Sequence, residues 1–331
     1  MKPNVKQVAK LAGVGTSTVS RVLNNQPNIS DEAREKVLKA IETLGYTPNL
    51  DARSLRYGQS GAVSILLPVT GIPFYDTLLS GIYSELEKVD LDLAFFPVVG
   101  ENRLRRYREV TSIPYRADGL LIASLNPERM YQGRPPFTKP IVLVDTHHKD
   151  YHSVSFDNLT AGQMAAQHAL ECRLPILFVD IQEIPGEFES PVFADRRQGI
   201  LTALSRHGIV PRQTLYTKAS LEGGRKIGQH LLQNPLDGPH FILAQCDDVA
   251  IGILRHLTEA GQQAGQDFLI MGFDDNQDAQ QAGLTTIRQP VREMGAKAAQ
   301  FLVQALNQEL HQLKHQQFPP SLVVRPTTSR P

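Results

Sequence analysis

VKQVAKLAGVGTSTVSRVLNN, residues 5–25, decides how the rest of the chain is read. Val5, Val8, Ala9 and Ala12 recur at i, i+3, i+4 and i+7, so they share one face of a helix. Gly13 interrupts the pattern as a turn residue does, and Thr18, Val19, Val22 and Leu23 resume a helical face. Further on, Ser30 is a good N-cap, with Asp31 and Glu32 in the first turn, where the helix dipole favours acids. Ala33, Val37, Ala40, Ile41 and Leu44 form a third apolar face, which Gly45 ends and Pro48 stops from continuing. Two short helices on a glycine turn, buttressed by a third, predict a helix-turn-helix head over residues 1–48.

The charge of this segment supports that reading. The formal net charge of the 331 residues is zero, but residues 1–58 hold nine Lys/Arg against five Asp/Glu. A head of +4 on a remainder of −4 places a phosphate-facing module beside a larger acidic one. Residues 49–60, NLDARSLRYGQS, form a connector whose short helical pattern, with Leu50 and Leu55, is too brief to be stable alone.

From Ala62 short apolar runs recur: AVSILLP, LDLAFFPV, DGLLIAS, PIVLVD, PILFVD, HFILAQCD and DFLIMGFDD. Segments of helical pattern such as YDTLLSGIYSELEK separate them. Continuous apolar strands alternating with helices predict parallel sheets covered on both faces. About 270 residues exceed one such sheet of ordinary size, so residues 61–331 are read as two α/β lobes. Ligands of open α/β sheets sit at the carboxyl ends of strands. Asp145, Asp180, Asp247 and Asp274 are expected there.

Other classes find less support. No apolar run reaches the roughly 18 residues of a membrane span, and the N-terminus lacks the apolar core of a signal peptide, so no membrane role and a cytoplasmic location are expected. Cys172 and Cys246 stand in unrelated contexts, which predicts neither disulfide framework nor zinc motif. His147, His148 and His152 cluster without a metal-ligand spacing, and a polar loop at the cleft mouth is the expected reading. No P-loop and no G-x-S-x-G elbow occur, so neither an enzyme nor a cofactor is expected.

VKQVAKLAGVGTSTVSRVLNN followed by SDEAREKVLKAIETLGYTPN resembles the head of the lac repressor (LacI/GalR) family of bacterial transcription regulators. DDVAIGIL, IMGFDD, LTTIRQP and LVVRPTT continue the resemblance in the family's order, so it covers essentially the whole chain. The resemblance implies an α/β protein: a three-helix helix-turn-helix head on a two-lobed core like the periplasmic sugar-binding proteins, with three crossing strands between lobes. It places the first lobe at about residues 61–158 plus 288–318 and the second at about 159–287 plus 319–331. It implies a homodimer on a palindromic double-stranded DNA operator, controlled by a small effector between the lobes, a sugar above all. No leucine heptad follows the core, so a dimer is expected rather than a tetramer.

By match, Thr16 and Ser17 stand at base-reading positions, with Ser20 and Arg21 one turn on, and Thr18 and Asn25 at phosphate-contacting ones. Leu55 matches the hinge leucine that wedges into the minor groove, beside Asn49, Ala52 and Arg53. Gly15 departs from the family, where a capping residue is common. A glycine N-cap costs only a few tenths of a kcal/mol, but it lacks a hydroxyl for phosphate.

At the effector end, Arg196 in DRRQGI, Asp274 in GFDD, Gln289 in TIRQP and Asp145 in LVDTHH match pocket positions. Phe74 and Tyr75 follow the first core strand, where family members place contacts from the first lobe. Asp247 is read as standing where the family usually has Asn, adding an acid to the pocket. The chain has no Trp, so Phe74, Tyr75, Phe193 or Phe273 are the candidate platforms for a sugar face. ECRLP, where the family often has Gly-His-Arg, argues against carrying over any one member's sugar. The alternatives are a regulator answering to a nucleobase, a sugar-binding transport protein, which would need a signal peptide and no basic head, and an enzyme on the same scaffold.

Overall fold

Asn4 begins the first helix by a reciprocal cap. Its side chain accepts from the Lys6 and Gln7 amides, while the Gln7 side chain accepts from the Asn4 amide at 2.9 Å. A computed structural model describes residues 3–23, 27, 29–46, 60–68, 72–98, 100–133, 135–182 and 190–329. It divides into two units, residues 1–60 and 61–331.

The first unit holds three helices: α1 (Val5–Ala12), α2 (Thr16–Leu23) and α3 (Asp31–Leu44). Gly13 closes α1 in the left-handed conformation, φ 68°, which glycine adopts without a Cβ penalty. The Gly15 carbonyl receives the first amides of α2, from Thr18 and Val19. The Ser30 hydroxyl accepts the Ala33 amide at 3.3 Å to start α3. Val8, Val19 and Val37 are fully buried, one from each helix, and alanines fill around them. Small residues at the crossings let three short helices share one core.

The second unit opens with β1 (Ala62–Leu67), α4 (Pro73–Leu86), β2 (Asp92–Pro97), α5 (Glu101–Arg106), β3 (Gly119–Ala123), α6 (Pro127–Tyr131), β4 (Ile141–Val144) and β5 (His152–Phe156). It continues with α7 (Asn158–Glu171), β6 (Ile176–Ile181), α8 (Pro191–Arg206), β7 (Gln213–Thr217), α9 (Leu221–Gln233), β8 (His240–Ala244), α10 (Asp247–Glu259), β9 (Phe268–Asp274), α11 (Gln277–Gln281) and β10 (Thr285–Arg288). α12 (Val291–Leu306), β11 (His315–Phe318) and β12 (Ser321–Val323) close the chain.

The strands make two six-stranded sheets, ordered β11-β5-β4-β3-β1-β2 and β12-β10-β9-β8-β6-β7. All pairings are parallel except β10 with β12. The expected α/β class with parallel sheets is therefore what the chain adopts. The chain passes between the sheets three times: after β5, between β10 and α12, and between β11 and β12. Strand order reverses between β1 and β3 in one sheet and between β6 and β8 in the other. Those are the crevices where α/β sheets hold ligands. Among the described residues, no helix is long and apolar enough to cross a membrane.

Three helix pairs cover these sheets at unusually close range. A Cβ on Gly162 of α7 would lie 2.3 Å from the Arg196 carbonyl oxygen, and one on Gly199 of α8 would lie 2.2 Å from that of Leu159. Gly81 and Gly295 make the same approach between α4 and α12, as do Gly224 and Gly252 between α9 and α10. A helical Gly→Ala exchange ordinarily stabilises, by about 0.4–1 kcal/mol. Here the methyl group meets backbone, so Gly199→Ala is expected to destabilise by about 1–3 kcal/mol as α7 and α8 are forced apart. Chemical denaturation measures it, and a gain in stability would show that the helices do not rely on this contact.

Candidate functional site

In the first unit, α2 carries the expected DNA-reading residues. Val19 and Val22 face the core, while Thr16, Ser17 and Arg21 are exposed and Thr18 and Ser20 are half-buried. Asn25, Asn49, Ala52, Arg53 and Leu55 lie outside the described residues.

In the second unit a cavity of about 280 Å³ opens between the lobes. The ends of β1, β3 and β4 wall it from one side, and β6, α8, β8 and β9 from the other. Its floor is built on strained backbone: Ser124, Asp145 and Asp274 have φ of 53°, 59° and 114°. Non-glycine residues in that region cost about 1–3 kcal/mol each and gather at functional sites.

Arg196 organises the polar floor. It projects from α8, is only 2% exposed and is gripped on every side. Its Nε donates to Asn158 Oδ1 (2.8 Å) and Nη1 to the Gln245 carbonyl (2.7 Å). Nη2 donates to Asp274 Oδ1 (3.1 Å) and Gln289 Oε1 (2.9 Å). The guanidinium lies 4.9 Å from the Phe273 ring centre and 5.9 Å from that of Phe193, within cation–π range of both. Gln289 passes the link on: its Nε2 donates to Asp145 Oδ1 (3.0 Å), whose Oδ2 accepts from Ser124 (2.6 Å). Arg196 thereby joins the first crossing (Asn158), the second (Gln289) and, through Asp145, the opposite lobe.

Burial sets the protonation of this floor. It pushes the Asp145 carboxyl up to about 6, against the Ser124 bond and the Arg196 charge, which pull it down. It pushes Asp274 up to about 7, although Arg196 opposes the shift. Burial likewise raises Asp248, whose Oδ1 accepts from the Asn276 side chain at 3.2 Å.

A family model for the lacI family of bacterial regulatory proteins matches residues 4–49, and one for periplasmic binding protein-like domains matches residues 168–328. The ribose operon repressor of Escherichia coli is 30% identical over 97% of this chain and 98% of its own. The chain belongs to the lacI family of bacterial regulatory proteins. A solved structure of a probable transcription regulator from Thermus thermophilus is 34% identical over 80% of this lacI-family chain and 97% of its own, with a TM-score of 0.68. The lac repressor dimer bound to operator and an anti-inducer shares the fold, at 24% identity, full-length cover (99% and 100%) and a TM-score of 0.77.

Within this lacI-family regulator the expected effector residues divide. Phe74, Tyr75, Asp145, Phe193, Arg196 and Asp274 all line the cavity. Gln289 stands one layer behind, joining Arg196 to Asp145. Asp247 is a correction. It is fully buried away from the cavity, its carboxylate accepting from the Thr286 hydroxyl (2.7 Å) and the Asn276 amide (3.0 Å). It opens α10 rather than ending a strand, and one residue along a helix start turns a side chain by about 100°. Its neighbours Cys246 and Asp248 are the ones that line the cavity. Phe273 is fully buried and stacks on Arg196, so it is no platform for a ligand.

Ser124 was missed by sequence reasoning, although it follows β3 as Asp145 follows β4, so the strand-end rule had the signal. Lys218, Val98 and Ile72 carried none. The histidine loop does not line the cavity. His147 Nδ1 and His315 Nδ1 share the Ser153 hydroxyl, at 2.9 and 2.8 Å, along the β5–β11 edge, and His148 pairs with Glu128. Among the described residues no group of three or more His, Cys, Asp or Glu is arranged to hold a metal ion.

Proposed function

We propose that this lacI-family regulator is a cytoplasmic transcriptional repressor that binds a palindromic operator as a homodimer and is switched by an uncharged sugar in the cavity between its lobes. The observation that carries the effector class is the saturation of Arg196. Four of its five N–H donors are already taken by Asn158, Gln245, Asp274 and Gln289. Among the described residues, the charged groups of the floor still open to a ligand are the carboxylates of Asp145, Asp248 and Asp274, with Tyr75, Gln182 and Ser190 as neutral polar groups in the lining. Such a floor accepts from hydroxyl groups and repels an anion. Lys218 is the other cation, exposed at the rim. Phe74, Tyr75 and Phe193 supply the apolar wall for a sugar face. A nucleobase needs donors set against its ring nitrogens, and four of the five guanidinium N–H groups are already engaged.

On the DNA side, Thr16, Ser17, Ser20 and Arg21 are assigned to base edges and Thr18 and Asn25 to phosphates. The connector, with Asn49, Ala52, Arg53 and the Leu55 wedge, is assigned to the minor groove. One experiment tests both ends. The full-length chain selects from a random duplex pool, and a thermal-shift screen of neutral sugars runs in parallel. Selection should enrich a two-fold palindrome. The sugar that raises the unfolding midpoint should shift the Kd for that duplex about 5- to 150-fold. No symmetric site, or stabilisation only by phosphorylated or carboxylated sugars, overturns the reading.

A further inference from the structure

Asp274 reaches the cavity from strained backbone, and the residue that follows it is strained as well. Asp274 has φ 114° and Asp275 φ 59°, two consecutive non-glycine residues in the left-handed region. Such backbone persists only where its surroundings over-determine it. Asp275 supplies the constraint. Its side chain is 2% exposed, and each carboxylate oxygen is held by a different arginine: Oδ2 accepts from Arg288 Nε at 2.7 Å and Oδ1 from Arg325 Nη2 at 2.6 Å. Its carbonyl accepts from the Gln280 side chain at 3.1 Å. Arg325 is fixed in turn, Nη1 donating to the Leu284 carbonyl (2.7 Å) and the backbone amide to the Thr285 hydroxyl (2.8 Å). None of Asp275, Arg288 and Arg325 lines the cavity.

The place of this clamp decides what it does. Strand register sets Arg288 opposite Asp274 on one side and opposite Ser321 on the other. Arg288 is the last residue of β10 before the second crossing, and Ser321 the first of β12 after the third. The Asp275–Arg288 pair ties the residue after Asp274 to the residue before Gln289, and the Gln289 amide donates to the Asp274 carbonyl at 3.3 Å. Asp274 and Gln289 are the two acceptors that share Arg196 Nη2. We propose that Asp275, Arg288 and Arg325 are positioning residues for the effector. The clamp sets both acceptors, and so the Arg196–Asp274 floor, and it passes to that floor any shift of the second or third crossing. By reciprocity, an effector seated on Asp274 resists the same shift. This rests on the effector reading above and adds how the site is governed.

A double-mutant cycle on the full-length chain, read by urea denaturation, tests it. Among the described residues Arg288 and Arg196 share no hydrogen-bond partner, so a clamp that only braces the fold gives additive losses. A clamp that positions Asp274 and Gln289 does not. The fall in urea midpoint caused by Arg196→Lys should be at least about one third smaller in an Arg288→Gln background. An Arg288→Lys background should keep the full fall, since it retains a cation beside Asp275. The Arg288 side chain is half-exposed, so both backgrounds should fold. Isothermal titration with ribose, glucose, galactose and fructose adds the effector. The sugar that binds should bind about tenfold more weakly to Arg288→Gln, and within about threefold of wild type to Arg288→Lys. Additive losses in the cycle, or a sugar affinity unchanged by Arg288→Gln, overturn the clamp and leave the effector reading standing. Failure of all four sugars counts against the sugar reading, and the cycle alone then decides the clamp.

Discussion

Replacing Arg196 with alanine is expected to cost the core about 3–5 kcal/mol at pH 8, the usual penalty for removing one partner of a buried ion pair. The guanidinium is nearly inaccessible, and its loss strands the Asp274 carboxylate, the Gln245 carbonyl and the side-chain oxygens of Asn158 and Gln289 together. It also removes the cation that both Phe193 and Phe273 contact. The penalty should shrink at pH 6. Arg196 already opposes burial in holding Asp274 at about 7, so without it the carboxyl is pushed higher still and takes up a proton instead of remaining an unpaired charge. Arg196→Lys should recover only part of the loss, because one ammonium cannot reach acceptors spread around a planar fork. Urea denaturation at the two pH values measures all three effects. A loss no larger than that of a surface pair, about 1 kcal/mol, would show that Arg196 does not hold the crossings together.

Three buried carboxyls should cost the core stability as pH rises from about 4 to beyond 7, while His147, His152, His168 and His240, each held by burial below its ordinary value, act in the opposite sense below about pH 6.5. Asp145 and Asp274 are raised in the folded state to about 6 and about 7, and burial together with the Asp274 charge raises Asp247 well above the ordinary carboxylate range. An unfolded aspartate releases its proton near pH 3.9. Across the window between, these three groups hold more protons in the folded chain than in the unfolded one, so their contribution to the slope of stability with pH is negative. The contribution of these groups is complete below about pH 4 and is lost as pH passes each folded value. Asp247→Asn should flatten this dependence. The amide keeps an acceptor for the Asn276 N–H, and its own N–H can be received by a turned Thr286 hydroxyl. The midpoint at pH 8 should rise, by roughly 2–4 °C for each kcal/mol regained, and change little at pH 5. Differential scanning fluorimetry across that range checks it. A variant no more stable than wild type at pH 8, or one that keeps the wild-type dependence on pH, would rule out the Asp247 carboxylate as a source.

The head was legible because its rules are local. The Ser30 cap, the glycines at 13 and 45 and the period of Val5, Val8, Ala9 and Ala12 each act within one helical turn. The continuous apolar strands were legible for a similar reason: β1, β3, β4, β6, β8 and β9 are buried almost throughout, so their composition alone marks them. HSVSF, QTLYT and HQQF announce no strand. β7 and β11 stand at sheet edges with alternating or partial exposure, and β5 is short and rich in hydroxyls. Their assignment depends on a neighbour that supplies hydrogen bonds from far along the chain.

By itself, then, the sequence determined the kind of protein this is: a basic three-helix head on a two-lobed parallel α/β core, with Arg196, Asp145 and Asp274 set where strands and helices meet a cleft. The tertiary structure alone decided which atoms remain available there. Whether Cys246 or Asp247 faces the cavity turns on where β8 stops and α10 begins. That Arg196 has one N–H to offer a ligand depends on partners at 158, 245, 274 and 289, two of them on interlobe crossings and two at the ends of β8 and β9. That α7 and α8 approach closely enough to hold it depends on Gly162 meeting Gly199. Caps and strands are local chemistry written in adjacent residues; hydrogen-bond saturation and close approach are sums over residues that become neighbours only when the chain has folded.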